Sequence, residues 1–232
     1  MKKVLFTTML LFGLLSVLYG QMEEKMRKEK VVSGTIINKN GEEVEGYIKA
    51  TGEAYGMETK QYYPAPWEYQ DDIKFIPKDV FENTEKLKGK MYKKYGPKDI
   101  RGYRYEDMYF EAVKYADMSS VGLNMFAKWM FLRKVIDGKM EVFYHYENPP
   151  KVLVNESVEP YYIQCAEEHV VYRKGKDGKL KLISGVAGLN IQKDWEDCPL
   201  VKEKYDQKEY TGGKMEACLK AIQDYNENCN GI

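Results

Sequence analysis

Two histidines and four cysteines are the side chains in this 232-residue sequence whose types most readily do chemistry. Cys165 and His169 stand four positions apart with Glu167 and Glu168 between them, an order that could supply a thiolate, a base and an orienting carboxylate. The competing reading is that Cys165 is oxidised and that Glu167 and Glu168 form a solvated turn between two strands. It is preferred, because thiols in exported chains are rarely left free. His145 falls mid-strand, opposite Met130, where a packed, hydrogen-bonded imidazole is the usual finding. Neither DMSSVG nor LISGVAG supplies the Gly-x-Ser-x-Gly of a nucleophile elbow. The chain also holds no His-Glu-x-x-His, no Gly-x-x-x-x-Gly-Lys and no Cys-x-x-Cys. No catalytic residue, metal ligand or cofactor is therefore assigned.

The stretch QYYPAPWEYQDD gathers Tyr62, Tyr63, Trp67 and Tyr69 around two prolines, with Asp71 and Asp72 following. Exposed rings flanked by carboxylates could stack on sugar faces while the acids take hydroxyls, so these four are the candidate ligand-binding residues. The alternative is that the rings cover one edge of a sheet and the prolines blunt it against aggregation. This second reading is preferred, because aromatic residues run through the whole chain rather than gathering here. Glu106-Asp107 lies between two strand-like runs and reads as a turn rather than an acid pair.

Cys165, Cys198, Cys218 and Cys229 allow three pairings, and an even count in an exported chain argues that they are bonded. Cys218 and Cys229 share one helix face, but eleven residues separate them by roughly 16 Å, beyond a disulfide's reach. That leaves Cys198 with Cys229 and Cys165 with Cys218, or the crossed pairs Cys198 with Cys218 and Cys165 with Cys229. The first is preferred, because Cys198 opens one helix and Cys229 closes the next, so antiparallel packing would bring those ends together. Loops of roughly 30 and 50 residues closed in this way would each stabilise the fold by about 3 to 4 kcal/mol.

Export is expected from the N-terminus. Lys2 and Lys3 precede an almost uninterrupted apolar run from Val4 to Leu18, with Gly20 just beyond, the layout of a signal peptide over residues 1–20. The run is short for a permanent membrane span, and no cysteine follows it to carry a lipid. The destination would be the periplasm, the cell surface or the medium. Removing residues 1–20 takes two lysines and no acid from 36 basic and 36 acidic side chains, leaving a formal charge of about −2. Such a balance offers no long-range attraction to nucleic acid. The apolar fraction of 44% excludes a largely disordered chain. Residues 21–30, which contain MEEKMRKEK, have few core formers and read as a mobile charged leader.

Twenty tyrosines point toward strands, where aromatic side chains pack well on a pleated surface. Three turn dipeptides each sit between strand-forming runs. Asn40-Gly41 would set Ile37 opposite Val44 and Gly34 opposite Tyr47. Asp137-Gly138 would set Lys134 opposite Glu141, Leu132 opposite Phe143 and Trp129 opposite Tyr146. A two-residue turn at Asp177-Gly178 would place lysines opposite lysines, so a longer loop is an equal alternative there. Further strands are expected at Ile73 to Ile76, Gly102 to Tyr105, Met108 to Val113 and Tyr161 to Cys165. Val80, Leu87, Met91 and Tyr95 recur at near-helical spacing and predict a helix between Pro77 and Gly96. Past Ser184 the pattern turns helical: a short helix with Asp197 as N-cap and Pro199 in its first turn, then an amphipathic helix from Lys214 to Cys229.

The Gly20-Gln21 junction, GTIINKNGEEVEGYIK, YKKYGPKDIRGYRYEDMYFE, FLRKVIDGKMEVFYHY and the DCP turn before the last helix together resemble a group of exported proteins of Bacteroidota. The resemblance covers most of residues 21–232. It implies export and a β-rich fold, and it carries over no catalytic residue because the group has no established activity. The expected class is α+β, mainly antiparallel β: a curled or barrel-like sheet domain over residues 31–184 and a disulfide-linked helical appendage over 185–232. The function expected is a non-catalytic envelope protein whose sheet offers an interaction surface to a protein or glycan. The alternative is a hydrolase whose carboxylates meet only in the fold.

Overall fold

A computed structural model describes residues 20–49, 54–55, 62–63, 69–116, 127–146, 167–183 and 191–229. Ten strands form one antiparallel sheet, and the fold is α+β, mainly β, as the sequence implied. The strands are β1 (Val31–Asn38), β2 (Glu43–Lys49), β5 (Ile73–Pro77), β6 (Lys93–Tyr95), β7 (Ile100–Tyr105), β8 (Met108–Tyr115), β9 (Lys128–Ile136), β10 (Met140–Tyr146), β11 (Glu167–Lys174) and β12 (Lys181–Leu182). Their order across the sheet is β12-β11-β10-β9-β8-β7-β1-β2-β5-β6, while β3 (Ala54–Tyr55) and β4 (Tyr62–Tyr63) form a separate two-stranded pair. The sheet is open. Both of its edge strands are short and carry lysines, Lys93 and Lys94 at one end and Lys181 at the other, which blunts edge-to-edge pairing.

Period-two alternation sends Ile36, Ile48, Phe75, Tyr103, Phe110 and Phe131 to one face, where they form a buried core. Tyr69 and Gln70 show that this face is concave. The Tyr69 hydroxyl donates to the Lys49 carbonyl in β2 at 3.2 Å, while Gln70 bonds Tyr146 of β10. Those strands lie five spacings apart, about 24 Å in a flat sheet. Two adjacent residues reach both because the sheet curls around them.

The first hairpin runs one residue out of the expected register. Asn38 N–H donates to Glu42 O and Gly41 N–H to Asn38 O, so the loop has three residues, with Gly41 in the left-handed region at φ +91°. Ile37 therefore faces Glu43, and Gly34 faces Gly46 rather than Tyr47. A Cβ on Gly46 would lie 2.4 Å from Phe75 Cζ, so the ring covering a strand glycine comes from the next strand, β5.

The second hairpin also slips. Lys134 faces Phe143, Ile136 faces Val142, and the register shifts between Val142 and Phe143. The cause lies outside the hairpin. Among the described residues β10 pairs with β9 only from Val142 to Tyr144, and side-chain amides close its backbone at both ends. At Met140, the Asn226 Oδ1 accepts the N–H at 2.8 Å and its Nδ2 donates to the carbonyl at 2.7 Å. At Tyr146, Gln70 Oε1 accepts the N–H at 2.8 Å and Nε2 donates to the carbonyl at 2.6 Å. Gln70 also accepts the Phe131 N–H through its own carbonyl, filling the gap where β9 and β10 part. The third hairpin takes the longer loop, with Tyr172 opposite Lys181.

Among the described residues four α-helices and two 3-10 turns accompany the sheet. Residues 20–29 form α1, so the charged segment is an ordered helix instead of a mobile leader. Met22 and Met26, one turn apart, pack on the cluster of Tyr47, Ile76 and Phe81. Lys25 donates to the Phe81 and Thr84 carbonyls at 2.5 and 2.9 Å, satisfying acceptors left open at the end of α2 (Lys78–Glu82). The helix expected from Pro77 to Gly96 stops at Glu82, where Asn83 turns back on the Asp79 carbonyl. Lys93–Tyr95 then joins the sheet edge beside β5.

The appendage consists of a 3-10 turn (Gln192–Trp195), α3 (Pro199–Asp206) and α4 (Lys214–Asn228). It packs Trp195, Val201, Ile222 and Tyr225 against Met140, Val142 and Tyr172. Pro199 opens α3, but the N-cap is Cys198, not Asp197. Asp197 instead accepts from Lys174 and from the Tyr225 hydroxyl, both at 2.7 Å. Cys198 caps α3 and Cys229 caps α4, and the two are bonded across 31 residues with Cα atoms 5.9 Å apart. The other expected bridge is not found: Cys218 is a buried free thiol 3.3 Å from the Tyr205 hydroxyl, and Cys165 lies outside the described residues. So does the strand expected at Tyr161 to Cys165. Glu167 and Glu168, read as a turn, begin β11.

Asn226→Ala leaves the Met140 N–H and carbonyl without partners and is expected to lower unfolding free energy by about 2 to 3 kcal/mol with an unchanged urea m-value. An unchanged midpoint would show that water replaces the amide. Burial pushes the Asp197 carboxyl up, but bonds from Lys174, Tyr225 and Lys139 outweigh it and hold it at about 2, against 3.8 ordinarily. A depressed carboxyl contributes stability above its unfolded value and loses it as pH falls through the folded one. Asp197→Asn should therefore flatten the loss of stability between pH 3.8 and about 2, read by near-UV circular dichroism.

Candidate functional site

The convex face of the sheet carries the unusual chemistry. One row of side chains crosses five strands: Arg104 (β7), Tyr109 (β8), Lys134 (β9), Phe143 (β10) and Arg173 (β11). Arg104 faces Tyr109, Tyr109 faces Lys134, and Lys134 faces Phe143, with Arg173 one diagonal step further. Cations and rings alternate along it. The Arg104 guanidinium lies 5.2 Å from the Tyr109 centroid, the Lys134 ammonium 5.7 and 5.6 Å from Tyr109 and Phe143, and the Arg173 guanidinium 5.0 Å from Phe143. Each contact is a cation over a ring quadrupole. Gly102 leaves room for this: a Cβ there would come within 3.0 Å of the Tyr109 ring.

Beside the row, two carboxylates complete a ring of four charges. Lys134 Nζ bonds Glu111 Oε2 and Glu141 Oε1, both at 2.5 Å, and reaches Asp137 at 3.0 Å, so all three ammonium hydrogens are used. Arg173 donates to Glu111 Oε1 at 2.5 Å and through Nε to Glu141 Oε2. Glu141 is 1% exposed. Burial pulls the Lys134 ammonium down, but Glu111, Glu141 and Asp137 outweigh it and hold it above the ordinary lysine range. Every carboxylate oxygen of the ring is engaged by a fixed cation. Neither Glu111 nor Glu141 is presented as a nucleophile or general base.

The ring floors a cleft of about 950 Å³. Lys39, Lys98 and Lys176 line it from three separate turns and Arg101 from the start of β7, all exposed, and none makes an ion pair or hydrogen bond among the described residues. Trp129, also in the lining, is 44% exposed, the one aromatic side chain so open among those described. A second cleft of about 870 Å³ runs beneath α1 over Tyr47, Met22 and Met26. Both of its cations are paired, Lys78 with Glu45 and Arg104 with Glu43, and Glu82 accepts from the Tyr47 hydroxyl.

Of the aromatic rings in the segment singled out in the sequence, only Tyr69 has a described side chain. Tyr69 is buried in the concave core, edge-on to Tyr105 at 5.7 Å, and offers no face to a ligand. Tyr62 and Tyr63 form β4, and Trp67 lies outside the described residues. His145 faces His169, not Met130; their rings stack at 5.6 Å, with Tyr115 5.3 Å from His145. Among the described residues no group of three or more His, Cys, Asp or Glu is placed to hold a metal ion. None of their helices is long and apolar enough to cross a membrane.

The four-charge ring was not anticipated, although a signal for it exists. On one face β8 reads Tyr109, Glu111, Val113, Tyr115; β9 reads Met130, Leu132, Lys134; β10 reads Glu141, Phe143, His145; and β11 reads His169, Val171, Arg173. Each strand contributes one member of the ring within a largely apolar or aromatic alternation, two of each sign, with Lys128 a further charge at the start of β9. Fold and site together define an α+β protein with a curled antiparallel sheet and a basic cleft on its convex face. Comparison with protein-family models, curated proteins and solved structures yields no match.

Lys134→Met leaves the buried Glu141 short of one counter-ion and is expected to cost about 3 to 5 kcal/mol. Lys134→Met with Glu141→Leu removes one charge of each sign and should recover most of that loss. Urea titration of the two variants decides it; a double variant as unstable as the single would show that the ring's value lies in packing.

Proposed function

We propose that this is a non-catalytic protein of the cell envelope that offers the convex face of its sheet as an interaction surface. The observation that carries the reading is the cleft whose lining cations have no counter-ions among the described residues. Charges that stabilise a fold are paired, as the Glu111–Lys134–Glu141–Arg173 ring is; Lys39, Lys98, Arg101 and Lys176 are left to meet something else. Export is supported by the signal-peptide layout of residues 1–20 and by the Cys198–Cys229 bond, since disulfides persist in oxidising compartments. The final compartment is the periplasm, the cell surface or the medium. The hydrolase alternative needs two carboxylates with oxygens free to act, and among the described residues Glu111 and Glu141, the pair buried together in the ring, have none.

Mature protein from the source cell is expected to begin at or near Gln21 and to carry no lipid, as read by N-terminal sequencing and intact mass. A chain that keeps residue 1 in the exported fraction would overturn export. Used as bait on a native envelope fraction, the mature chain is expected to retain a partner that raised salt releases. Release of reducing sugar or peptide from the same fraction would favour the hydrolase.

A further inference from the structure

The ligand class follows from how the cleft is built, given the binding role just described. Its free cations come from three turns and one strand: Lys39 from the tip of the β1–β2 hairpin, Lys98 from the turn before β7, Arg101 from the start of β7, and Lys176 from the β11–β12 loop. They are spread around a cleft of about 950 Å³ rather than gathered at one point, which suits several separated anions better than a single phosphate. The floor is a poor anion site, because Lys134 is saturated by Glu111, Glu141 and Asp137 and the Arg173 charge is already offset by Glu111 and Glu141. Trp129 adds an indole open to solvent in a molecule that buries nearly every other large apolar side chain described. An exposed ring suits the C–H face of a sugar, while cations around it suit acidic substituents. A folded acidic protein would need an apolar anchor pocket, and the lining of this cleft is mostly charged.

We propose that the cleft binds an acidic polysaccharide, with Trp129 stacking on a sugar ring and Lys39, Lys98, Arg101 and Lys176 pairing with its carboxylates or sulfates. The two anion sources share one recognition chemistry. Arginine can grip either group bidentately, whereas lysine acts as a point charge. Binding through exposed cations weakens as salt rises, while the stacking contribution persists.

The test uses the mature full chain and three immobilised polymers: polygalacturonate for carboxylates, dextran sulfate for sulfates, and neutral dextran. Retention is expected on at least one acidic polymer and not on neutral dextran. Lys98→Glu with Arg101→Glu, and separately Trp129→Ala, should each weaken it by about tenfold or more, the size of losing one good charge-assisted or stacking contact. Lys193→Glu with Lys202→Glu alters net charge equally at the exposed surface of the appendage and should change retention by less than about twofold, as distant screened charges do. Unchanged melting curves for all variants keep the comparison free of folding effects. No retention on either acidic polymer, or equal weakening by the appendage control, would overturn the proposal. A protein partner retained from the envelope by the Lys98→Glu/Arg101→Glu variant would leave the interaction role standing and remove only the acidic ligand.

Discussion

Strand β10 has more backbone than its neighbour can satisfy, and the rest of the architecture answers to that. A buried N–H or carbonyl without a partner costs free energy comparable to a lost hydrogen bond, so the ends of β10 must find partners beyond β9. They find them in two carboxamides that imitate a strand: Gln70 at Tyr146 and Asn226 at Met140. Gln70 anchors the Tyr69–Gln70 turn inside the concave face, which fixes the curl. Asn226 anchors α4 to the hairpin tip, which fixes the appendage. The disulfide then joins the two ends of that appendage, and closing about 30 residues contributes about 3 to 4 kcal/mol by loop entropy.

The curl divides the molecule's chemistry between its faces. The concave side is lined by rings, among them Tyr103 stacked on Phe110 at 4.9 Å and edge-on to Phe131 at 5.0 Å. Two of its hydroxyls donate to backbone carbonyls, Tyr103 to Tyr69 and Tyr69 to Lys49. The convex side keeps the charges. Replacing a buried ion network by well-packed apolar residues is often neutral or stabilising, so the Glu111–Lys134–Glu141–Arg173 ring is not explained by stability alone. What it does in place is hold the cation–ring row in one register and leave the lining cations of the cleft without internal counter-ions. Rigidity below and unpaired charge above is an arrangement suited to binding.

Much of the fold was legible because it is written in local patterns. Period-two alternation announced β7, β8, β9 and β10, helical periodicity announced α4, and Pro199 announced the start of α3. The cysteines marked which helix ends would meet, because caps at opposite ends of antiparallel neighbours are close for geometric reasons. The failures are of one kind. Each hairpin was read from its turn dipeptide, and two slipped because the pairing was decided elsewhere: by Gly41 taking the left-handed position of a longer loop, and by Asn226 arriving from 86 residues away. Tyr69, weighed as a ligand platform but preferred as cover for a sheet edge, is buried inside the curl, which neighbouring aromatics in the sequence do not reveal.

By itself the sequence determined composition-level and local properties: strand and helix content, the polarity of each face, a preference for pairing Cys198 with Cys229 and the absence of recognisable catalytic motifs. These depend on side-chain types at short spacing, which a linear reading sees. Only the tertiary structure decided the register of β9 against β10, the curl, and the meeting of Glu111, Lys134, Glu141 and Arg173 from four different strands. Such features are set by partners far apart in the chain, where a single hydrogen-bonding amide or one buried counter-ion outweighs local preference. The same reason places the cleft beyond sequence reading: its free cations come from three turns and the start of β7, which nothing but the packed sheet brings together.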